Sequence, residues 1–511
     1  MLRPLALLTL VVAFASTASL HAQRVLVVGS GGYPRLEAAA ADVLPGDTIR
    51  FAAGTHAGGA YVANLQGTRE AWITITGEPG ARIVGGTNAI QLTDPMYLRI
   101  THLAFEGQTG NGLNIDDGGS YDTPAKHLVI EHCTWGALAA TGNNDQLKMS
   151  GVDSFTVRHC TFVDGAAGGS QIDMVGCHYG VFEQNVFRNA GSNCIQNKGG
   201  TQYILITRNS FERGGQRALN IGGSTGLAFF RPIDAPFEAA DILVHANVFT
   251  GAVAPIAFVG AVRCAVVNNT IYMPEKWVVR ILQESTDARF APCGENIFRN
   301  NLIVLGNAAT APSFNIGSNT APQTFLFGAN LWYNVDQPAW TNPNVPTPDD
   351  GAVMGQDPLL RAPALVGGDF TLRAGSPAIG RGIPFSAPYP DHRGVAYNVP
   401  PSIGAFEGNP LPTTAVLPDS PGTLTFSVHP MPARDRVQLD VRGARGSDLR
   451  ITLHDAAGRL AGSWQATLPA GSGVLPLGLA EAVRTAGGMR WYILTVDDGV
   501  ARRSLPLLLQ P

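Results

Sequence analysis

A short pattern that recurs between residues 159 and 303 constrains the fold more than any other feature of the sequence. A short strand is followed by a polar residue, one further residue and a large apolar residue. The matching segments are His159-Cys160-Thr161-Phe162, Gln184-Asn185-Val186-Phe187, Arg208-Asn209-Ser210-Phe211, Ala246-Asn247-Val248-Phe249, Asn268-Asn269-Thr270-Ile271 and Asn300-Asn301-Leu302-Ile303. Such regularity is typical of a solenoid, in which each repeat forms one coil that packs only on its neighbours.

An asparagine occupies the polar position in five of these six segments. An asparagine at a fixed turn can hydrogen-bond its counterparts in the coils above and below, which satisfies backbone groups that the bend leaves unpaired. The large apolar residue two positions later points inward and stacks. The pattern therefore predicts an asparagine ladder beside a phenylalanine stack.

A second strand in each repeat ends in glycine and alternates apolar with polar residues. The apolar residues that we expect to point inward are Leu147, Ile172, Ile195 and Leu219. The outward row then consists of Lys148, Asp173, Gln196 and Asn220, spaced by about 4.8 Å from coil to coil. Lys198 belongs to the next outward row, and the face becomes apolar farther along, at Ala257 and Val259.

Over most of residues 34–408 these repeats resemble the pectate-lyase-like superfamily of right-handed parallel β-helix proteins. Residues 35–49 resemble the capping helix and first strand of that superfamily. Three later segments resemble the last turns and closing segment of many bacterial members of that superfamily. They are Ser376-Pro377-Ala378-Ile379, Asp391-His392-Arg393-Gly394 and Ile403-Gly404-Ala405-Phe406-Glu407. The resemblance implies an all-β chain whose residues 23–409 form a right-handed parallel β-helix with an N-terminal capping helix.

The two ends of the chain differ from the repeats. Residues 1–22 combine Arg3, an apolar stretch and small residues before a cleavage point, which predicts a secretory signal peptide. Residues 410–424 are rich in Pro, Thr and Ser and predict a linker. Residues 425–511 contain short alternating runs, which predict a small β-sandwich.

Three segments of the C-terminal region resemble the sorting domain of the type IX secretion system. They are Phe426-Ser427-Val428-His429-Pro430-Met431-Pro432-Ala433, Ile451-Thr452-Leu453-His454-Asp455-Ala456-Ala457-Gly458-Arg459 and Trp491-Tyr492-Ile493-Leu494-Thr495-Val496. Met431 departs from that family, which usually has Asn there. The resemblance implies an exported bacterial protein, secreted or on the outer cell surface, with the type IX machinery as a partner. A generic adhesion or carbohydrate-binding sandwich is the alternative.

The composition of the chain excludes some classes of binding partner. Charged residues form 14% of the chain, the net charge is −4, and no block of Lys and Arg could follow a nucleic-acid backbone. We expect neither nucleic-acid binding nor a transmembrane segment in the mature chain.

The six cysteines show no CxxC spacing, and Cys133 and Cys160 occupy the same place in successive repeats, which favours core packing. A disulfide between these two remains open.

Three long insertions interrupt the otherwise economical repeats: after Asp116, between Leu227 and Asp241, and between Met273 and Glu295. Long loops are often functional, and exposed aromatic residues with arginine suit sugar stacking and uronate pairing. On this basis Phe230 and Arg231 are candidate substrate contacts. Loops that merely pack on the solenoid are the alternative.

Polar outward residues concentrate on the coils that these insertions flank. They are Asn114, Asp116, Lys148, Asp173, Gln196, Lys198, Arg217 and Asn220. Both signs of charge with amides in one patch favour a groove for an extracellular polysaccharide over a solvated face. Two alternatives stay open there: Lys148 and Asp173 could form a surface ion pair, and His178 could be a base or only a loop residue.

Lys198 and Arg217 are the candidate catalytic residues. Cleavage of a uronate chain by β-elimination needs a neutralised carboxylate, a base for the C5 proton and a proton for the departing oxygen. An ammonium loses its proton near neutral pH only if neighbouring cations or removal from water disfavour the charge. The order of Lys198, a strand with an aromatic turn, and Arg217 resembles polysaccharide lyase family six, although that family has its arginine near the end of the strand. The resemblance leaves a calcium cofactor open.

Other functions stay open beside a polysaccharide lyase. A glycoside hydrolase would use paired carboxylates, for which Asp145 and Asp173 are the central candidates. A C5-epimerase shares the first step of a lyase. A non-catalytic surface protein could bind glycans on the same face.

Overall fold

The computed structural model describes most of the chain. The described ranges are 23–120, 122–310, 312–384, 390–408, 425–429, 436–442, 444, 448–455, 460–468, 473–479, 490–498 and 502–509. The expected signal peptide, the expected linker and Met431 lie outside these ranges.

Within the described ranges, the repeats form three parallel sheets that share one interior, as in a right-handed parallel β-helix. Sheet A contains Val25–Val28, Thr48–Phe51, Ile73–Gly77, Met96–Thr101, Ala125–Glu131, Val152–Arg158, His178–Glu183, Thr201–Thr207, Ala239–Ala240, Leu243–His245, Ala261–Val262, Ala265–Val267, Ile297–Arg299, Leu326–Gly328 and Asp349–Asp350. Sheet B contains Gly54–Ala57, Ala81–Val84, Ala104–Glu106, Thr134–Trp135, Thr161–Val163, Val186–Arg188, Ser210–Glu212, Val248–Thr250, Thr270–Tyr272, Leu302–Leu305, Leu331–Asn334 and Val353–Met354. Sheet C contains Ala60–Ala63, Ile90–Thr93, Leu113–Asp116, Leu147–Ser150, Ser170–Val175, Asn193–Lys198, Arg217–Gly222, Ala254–Val259, Val279–Leu282 and Phe314–Ile316.

The predicted asparagine ladder lies at the bend between sheets A and B. The backbone N–H of Asn185 donates to Oδ1 of Asn209 at 2.9 Å, and the same bond joins each later rung at 2.9–3.0 Å. The ladder continues through Asn247, Asn269 and Asn301 to Asn330. Each buried amide therefore satisfies a backbone group that the bend removes from the sheets.

Aromatic rings stack beside the ladder in the interior. Phe162, Phe187, Phe211 and Phe249 are fully buried, and the centroids of successive rings are 4.5–5.0 Å apart. All six cysteines are buried free thiols, so the disulfide left open between Cys133 and Cys160 is not formed. Their expected place in the core is confirmed.

The N-terminal end and one side of the solenoid are covered. The helix Leu36–Asp42 buries Leu36 and Ala39 at the N-terminal end, as the sequence predicts. After the last coil the chain forms the antiparallel pair Leu360–Ala362 and Asp369–Leu372. The closing segment then packs Ile403 and Phe406 against sheet B residues such as Val248. Short 3-10 helices lie in the loops at Leu227–Phe229, Asn307–Ala309 and Pro322–Thr324.

The C-terminal region forms two antiparallel sheets around a separate core. One sheet contains Thr425–His429, Arg436–Arg442 and Gly473–Gly478, and the other contains Asp448–Asp455, Leu460–Thr467, Arg490–Asp497 and Arg502–Leu509. Leu439 of the first sheet and Ile451 of the second are both buried in that core. This arrangement is the predicted small β-sandwich.

No helix among the described residues is long and apolar enough to cross a membrane.

We predict that Asn209→Ala lowers the free energy of unfolding by about 3 kcal/mol, because two buried N–H donors of Asn185 lose their acceptor and the carbonyl oxygen of Phe182 and Oδ1 of Asn247 each lose a donor. Urea unfolding followed by circular dichroism measures the change. Asn342→Ala, at an exposed asparagine, is the control. Equal losses in the two variants would contradict a stabilising ladder.

Candidate functional site

The outer face of sheet C carries a continuous row of side chains that the strand register aligns. In coil order the row is Asn114, Lys148, Asp173, Gln196, Asn220, Ala257, Arg280 and Asn315. The register confirms the row from Lys148 to Asn220. Gly151, Gly176 and Gly199 follow the strands with φ of 63°, 59° and 66°, a left-handed conformation that favours glycine.

A buried carboxylate holds two lysines in the middle of this row. Asp173 is 1% exposed, and one of its oxygens binds Nζ of Lys148 while the other lies 3.3 Å from Nζ of Lys198. Lys148 also lies 3.5 Å from Oδ2 of Asp145. The backbone N–H of Ser170 donates to Asp145 at 2.8 Å and fixes that carboxylate. The pairing of Lys148 with Asp173 that the sequence left open is therefore present, around a buried anion.

The charges of this cluster perturb one another. Burial and the nearby Asp173 raise the pKa of Asp145 to about 6. Burial lowers the pKa of Lys148, but Asp173 and Asp145 together outweigh that effect, so its pKa is raised. Lys148 is therefore held as a cation by two carboxylates.

Lys198 and Arg217 do not share a partner. The guanidinium of Arg217 donates to Glu284 at 2.7 Å and to Oδ1 of Asn220 at 3.3 Å, whereas Lys198 faces Asp173. The cation that shares a carboxylate with Lys198 is Lys148. The expectation that Arg217 supplies this neighbouring charge is not met.

Two predicted substrate contacts are buried instead. The expectation that Asp173 and Asn220 are exposed on the face is wrong, because Asp173 lies beneath the lysines and Asn220 beneath Arg217. Both side chains position cations. The predicted residues that reach the surface of this face are Asn114, Asp116, Lys148, Gln196, Lys198 and Arg217, each partly exposed.

Phe230 and Arg231 are also buried, so the expectation that their side chains are exposed to a substrate is wrong. Phe230 is fully covered and packs against Phe290, with ring centroids 5.2 Å apart. Arg231 makes a bidentate pair with Asp153 at 2.7 and 2.8 Å. The insertion here folds back on the solenoid, and its exposed aromatic residue is Phe229, at 65%.

His178 belongs to the same buried contact. One of its ring nitrogens lies 3.1 Å from the carbonyl oxygen of Gly200 and 3.2 Å from that of Arg231. Its other ring nitrogen lies 3.1 Å from the Arg231 guanidinium. These contacts favour the structural interpretation of His178.

Glu238 is an important residue that sequence reasoning missed. Its carboxylate is buried and accepts hydrogen bonds from the backbone N–H of Gly199 at 2.9 Å, from the N–H of Thr225 at 2.8 Å, and from the hydroxyls of Thr225 and Ser285. It therefore ties two insertions to the strand end beside Lys198. Nothing in the local sequence distinguishes Glu238 from other loop acids.

The donor set of this face does not suit calcium, which prefers several oxygen ligands. Asp145 and Asp173, the carboxylates at its centre, both contact lysines. Among the described residues, no group of three or more His, Cys, Asp and Glu side chains could hold a metal ion. We therefore derive no step through a metal.

Comparisons with known proteins agree with the architecture. Residues 88–271 match the family model described as right handed beta helix region. Pectate lyase Pel9A is 14% identical with a TM-score of 0.49, and the match covers 76% of this chain and 98% of that chain. A family 28 exopolygalacturonase from Yersinia enterocolitica is 13% identical with a TM-score of 0.37, covering 61% and 72%.

The A-module of the mannuronan C-5 epimerase AlgE4 from Azotobacter vinelandii is 14% identical with a TM-score of 0.32, covering 56% of this chain and 82% of that chain. No curated protein sequence matches the chain. The sheet topology and the family model over residues 88–271 make the chain a right-handed parallel β-helix protein. The three solved structures named here are a lyase, a hydrolase and an epimerase. Likeness at this level carries no argument about its reaction.

We predict that the stability gained by Asp145→Asn grows by about 2 kcal/mol between pH 4 and pH 8. The folded state raises the pKa of Asp145, so the stability that this carboxyl contributes is present at low pH and is lost as pH rises through about 6. Asparagine keeps the acceptor for Ser170 without the charge. Urea unfolding at several pH values measures the difference.

Asp122→Asn, at an exposed carboxylate, controls for the change in net charge. A gain that is the same at every pH would contradict this account of Asp145.

Proposed function

We propose that the protein is a polysaccharide lyase that binds a uronate-containing glycan across the outer face of sheet C and cleaves it by β-elimination. The observation that carries the proposal is the pair of lysine amines, Lys148 and Lys198, on the single buried carboxylate of Asp173. Arg217 and Gln196 flank this pair on the same face. Cations and amides of this kind can neutralise and orient a uronate carboxylate.

The unequal partners of the two lysines suggest their roles. Lys148 contacts both Asp145 and Asp173 and stays charged, so it suits the neutralisation of the substrate carboxylate. Lys198 contacts one carboxylate, Asp173, which Lys148 also binds, so fewer ion pairs hold its amine in place. We assign Lys198 as the base.

In the proposed reaction the amine of Lys198 takes the proton from C5 of the uronate. The electrons of that C–H bond form the double bond between C4 and C5, and the bond from C4 to the glycosidic oxygen breaks. The departing oxygen then takes up a proton, so no water is consumed. Lys148 and Arg217 stabilise the negative charge that develops on the carboxylate.

The same geometry disfavours a hydrolase on this face. Hydrolysis needs two carboxyl groups that flank the scissile bond. Asp145 and Asp173 are almost fully buried and contact the ammonium group of Lys148. Neither carboxyl is placed to reach a glycosidic oxygen.

We predict that Lys198→Ala lowers kcat on the cleaved uronan by a factor of about 10² to 10⁴, because it removes the base. The assay follows the ultraviolet absorbance of the unsaturated product with alginate, pectate, chondroitin, heparin and glucuronan, with and without calcium. Lys126→Ala removes a lysine from the outer face of sheet A and serves as the matched control.

Full activity of Lys198→Ala would contradict the assignment of the base. Absence of an unsaturated product with every glycan would overturn the elimination. A reducing-end assay would then separate a hydrolase from a binding protein.

We further propose that residues 425–511 form a type IX sorting domain and that residues 1–22 are a signal peptide, which together place the protein outside the outer membrane. The β-sandwich with its own core supports the first part. We expect deletion of residues 425–511 to hold the protein in the periplasm of a bacterium with this export route. Immunoblots of cell fractions test this, and surface export of the deletion variant would contradict it.

A further inference from the structure

Beyond the lysines, the face of sheet C carries two cations without a carboxylate partner. Arg280 lies two coils past Asn220 in the same outward row, and Lys276 lies just before that strand. Among the described residues, no carboxylate lies within ion-pairing distance of either cation, whereas Lys148, Lys198 and Arg217 each contact one. Sequence analysis ended the polar patch at Ala257 and missed this part of the row.

Trp277 holds both cations in place. Nζ of Lys276 lies 4.3 Å from the centroid of the indole ring, and Cζ of Arg280 lies 4.8 Å from it. Nε of Arg280 donates to Oδ1 of Asn315 at 2.9 Å, which fixes the guanidinium. Within the described part of the chain, the two terminal nitrogens of Arg280 make no hydrogen bond. They are available to a ligand.

The charge balance of the face isolates this pair. Lys148 and Lys198 are matched by Asp145 and Asp173, and Arg217 is matched by Glu284. Among the described residues of the coils beside Arg217, Lys276 and Arg280 are the cations that no carboxylate pairs.

Partial burial and the nearby Arg217 lower the pKa of Arg280, and Glu284 offsets only part of this effect. An arriving anion would therefore relieve charge repulsion there.

We propose that Arg280 and Lys276, oriented by Trp277, form an anion subsite that holds the carboxylate of an acidic sugar unit. The terminal nitrogens of a guanidinium match a planar carboxylate in a bidentate contact. The subsite lies three strand spacings, about 14 Å, from the Gln196 coil, so an occupant of both regions is an oligosaccharide. The inference rests on the proposed function, because it takes the glycan to lie across sheet C.

The test measures the affinity of the full chain for oligosaccharides of alginate and polygalacturonate by titration calorimetry. We expect Arg280→Gln to weaken binding about tenfold, through the loss of charge-assisted hydrogen bonds. Arg82→Gln removes a cation from sheet B, where Arg82 pairs with Glu106, and is expected to bind as the unmodified chain does. Fully methyl-esterified pectin, which lacks the charge, is expected to bind both variants equally.

The affinities for chondroitin with and without sulfate groups show whether the subsite recognises a carboxylate or a sulfate. A requirement for sulfate would overturn the assignment to a carboxylate. Unchanged affinity of Arg280→Gln for acidic oligosaccharides would overturn the subsite. Equal weakening with esterified pectin would do the same, because the variant would then have lost contact with the ring and not with the charge.

An assay of elimination on the same samples distinguishes a failure of the proposed subsite from a failure of the proposed lyase activity. A raised KM with unchanged kcat in Arg280→Gln supports both. Cleavage with an unchanged KM overturns the subsite and leaves the lyase standing. Weakened binding by Arg280→Gln, with no cleavage by the unmodified chain, supports the subsite and overturns the lyase.

Discussion

The hydrogen-bonded register between successive coils is the constraint on which the structure depends. It stacks asparagine on asparagine at one bend and ring on ring in the interior. The same register brings side chains from distant parts of the sequence into one outward row on sheet C. The site is therefore a consequence of coil stacking, because each coil contributes one side chain to the row and some coils add a neighbouring one.

Charge on that row is arranged in two ways. Around Asp173 the cations are paired with buried carboxylates, which holds Lys148 and Lys198 in fixed positions on the face. Around Trp277 the cations Lys276 and Arg280 are held by an aromatic ring, which leaves their charge unbalanced. The first arrangement suits the handling of a proton, and the second suits the capture of an anion. Together they suggest why this face would select an acidic polymer.

Periodicity decided which parts of this account the sequence could predict. The ladder, the aromatic stack and the row from Lys148 to Asn220 follow from alternation along strands, and the structure has them all. The burial of Asp173 and Asn220 could not be predicted from that alternation, because it depends on which long side chains fold over them.

The insertions were the least predictable part. Without a period, nothing in the sequence indicates that Phe230 is buried while Phe229 is exposed. Arg231 finds Asp153, which lies far away in sequence, only after the loop has folded back. The role of Glu238 likewise depends on contacts that residues 199, 225 and 285 make only in the folded chain.

The most direct test of the central claim is a crystal structure of Lys198→Ala with an acidic oligosaccharide bound. We predict a chain of sugar units across the outer face of sheet C, with one carboxylate beside Lys148 and Arg217 and another at Arg280. An oligosaccharide on the outer face of sheet A, or in the cleft between sheet B and the closing segment near His392, would contradict it.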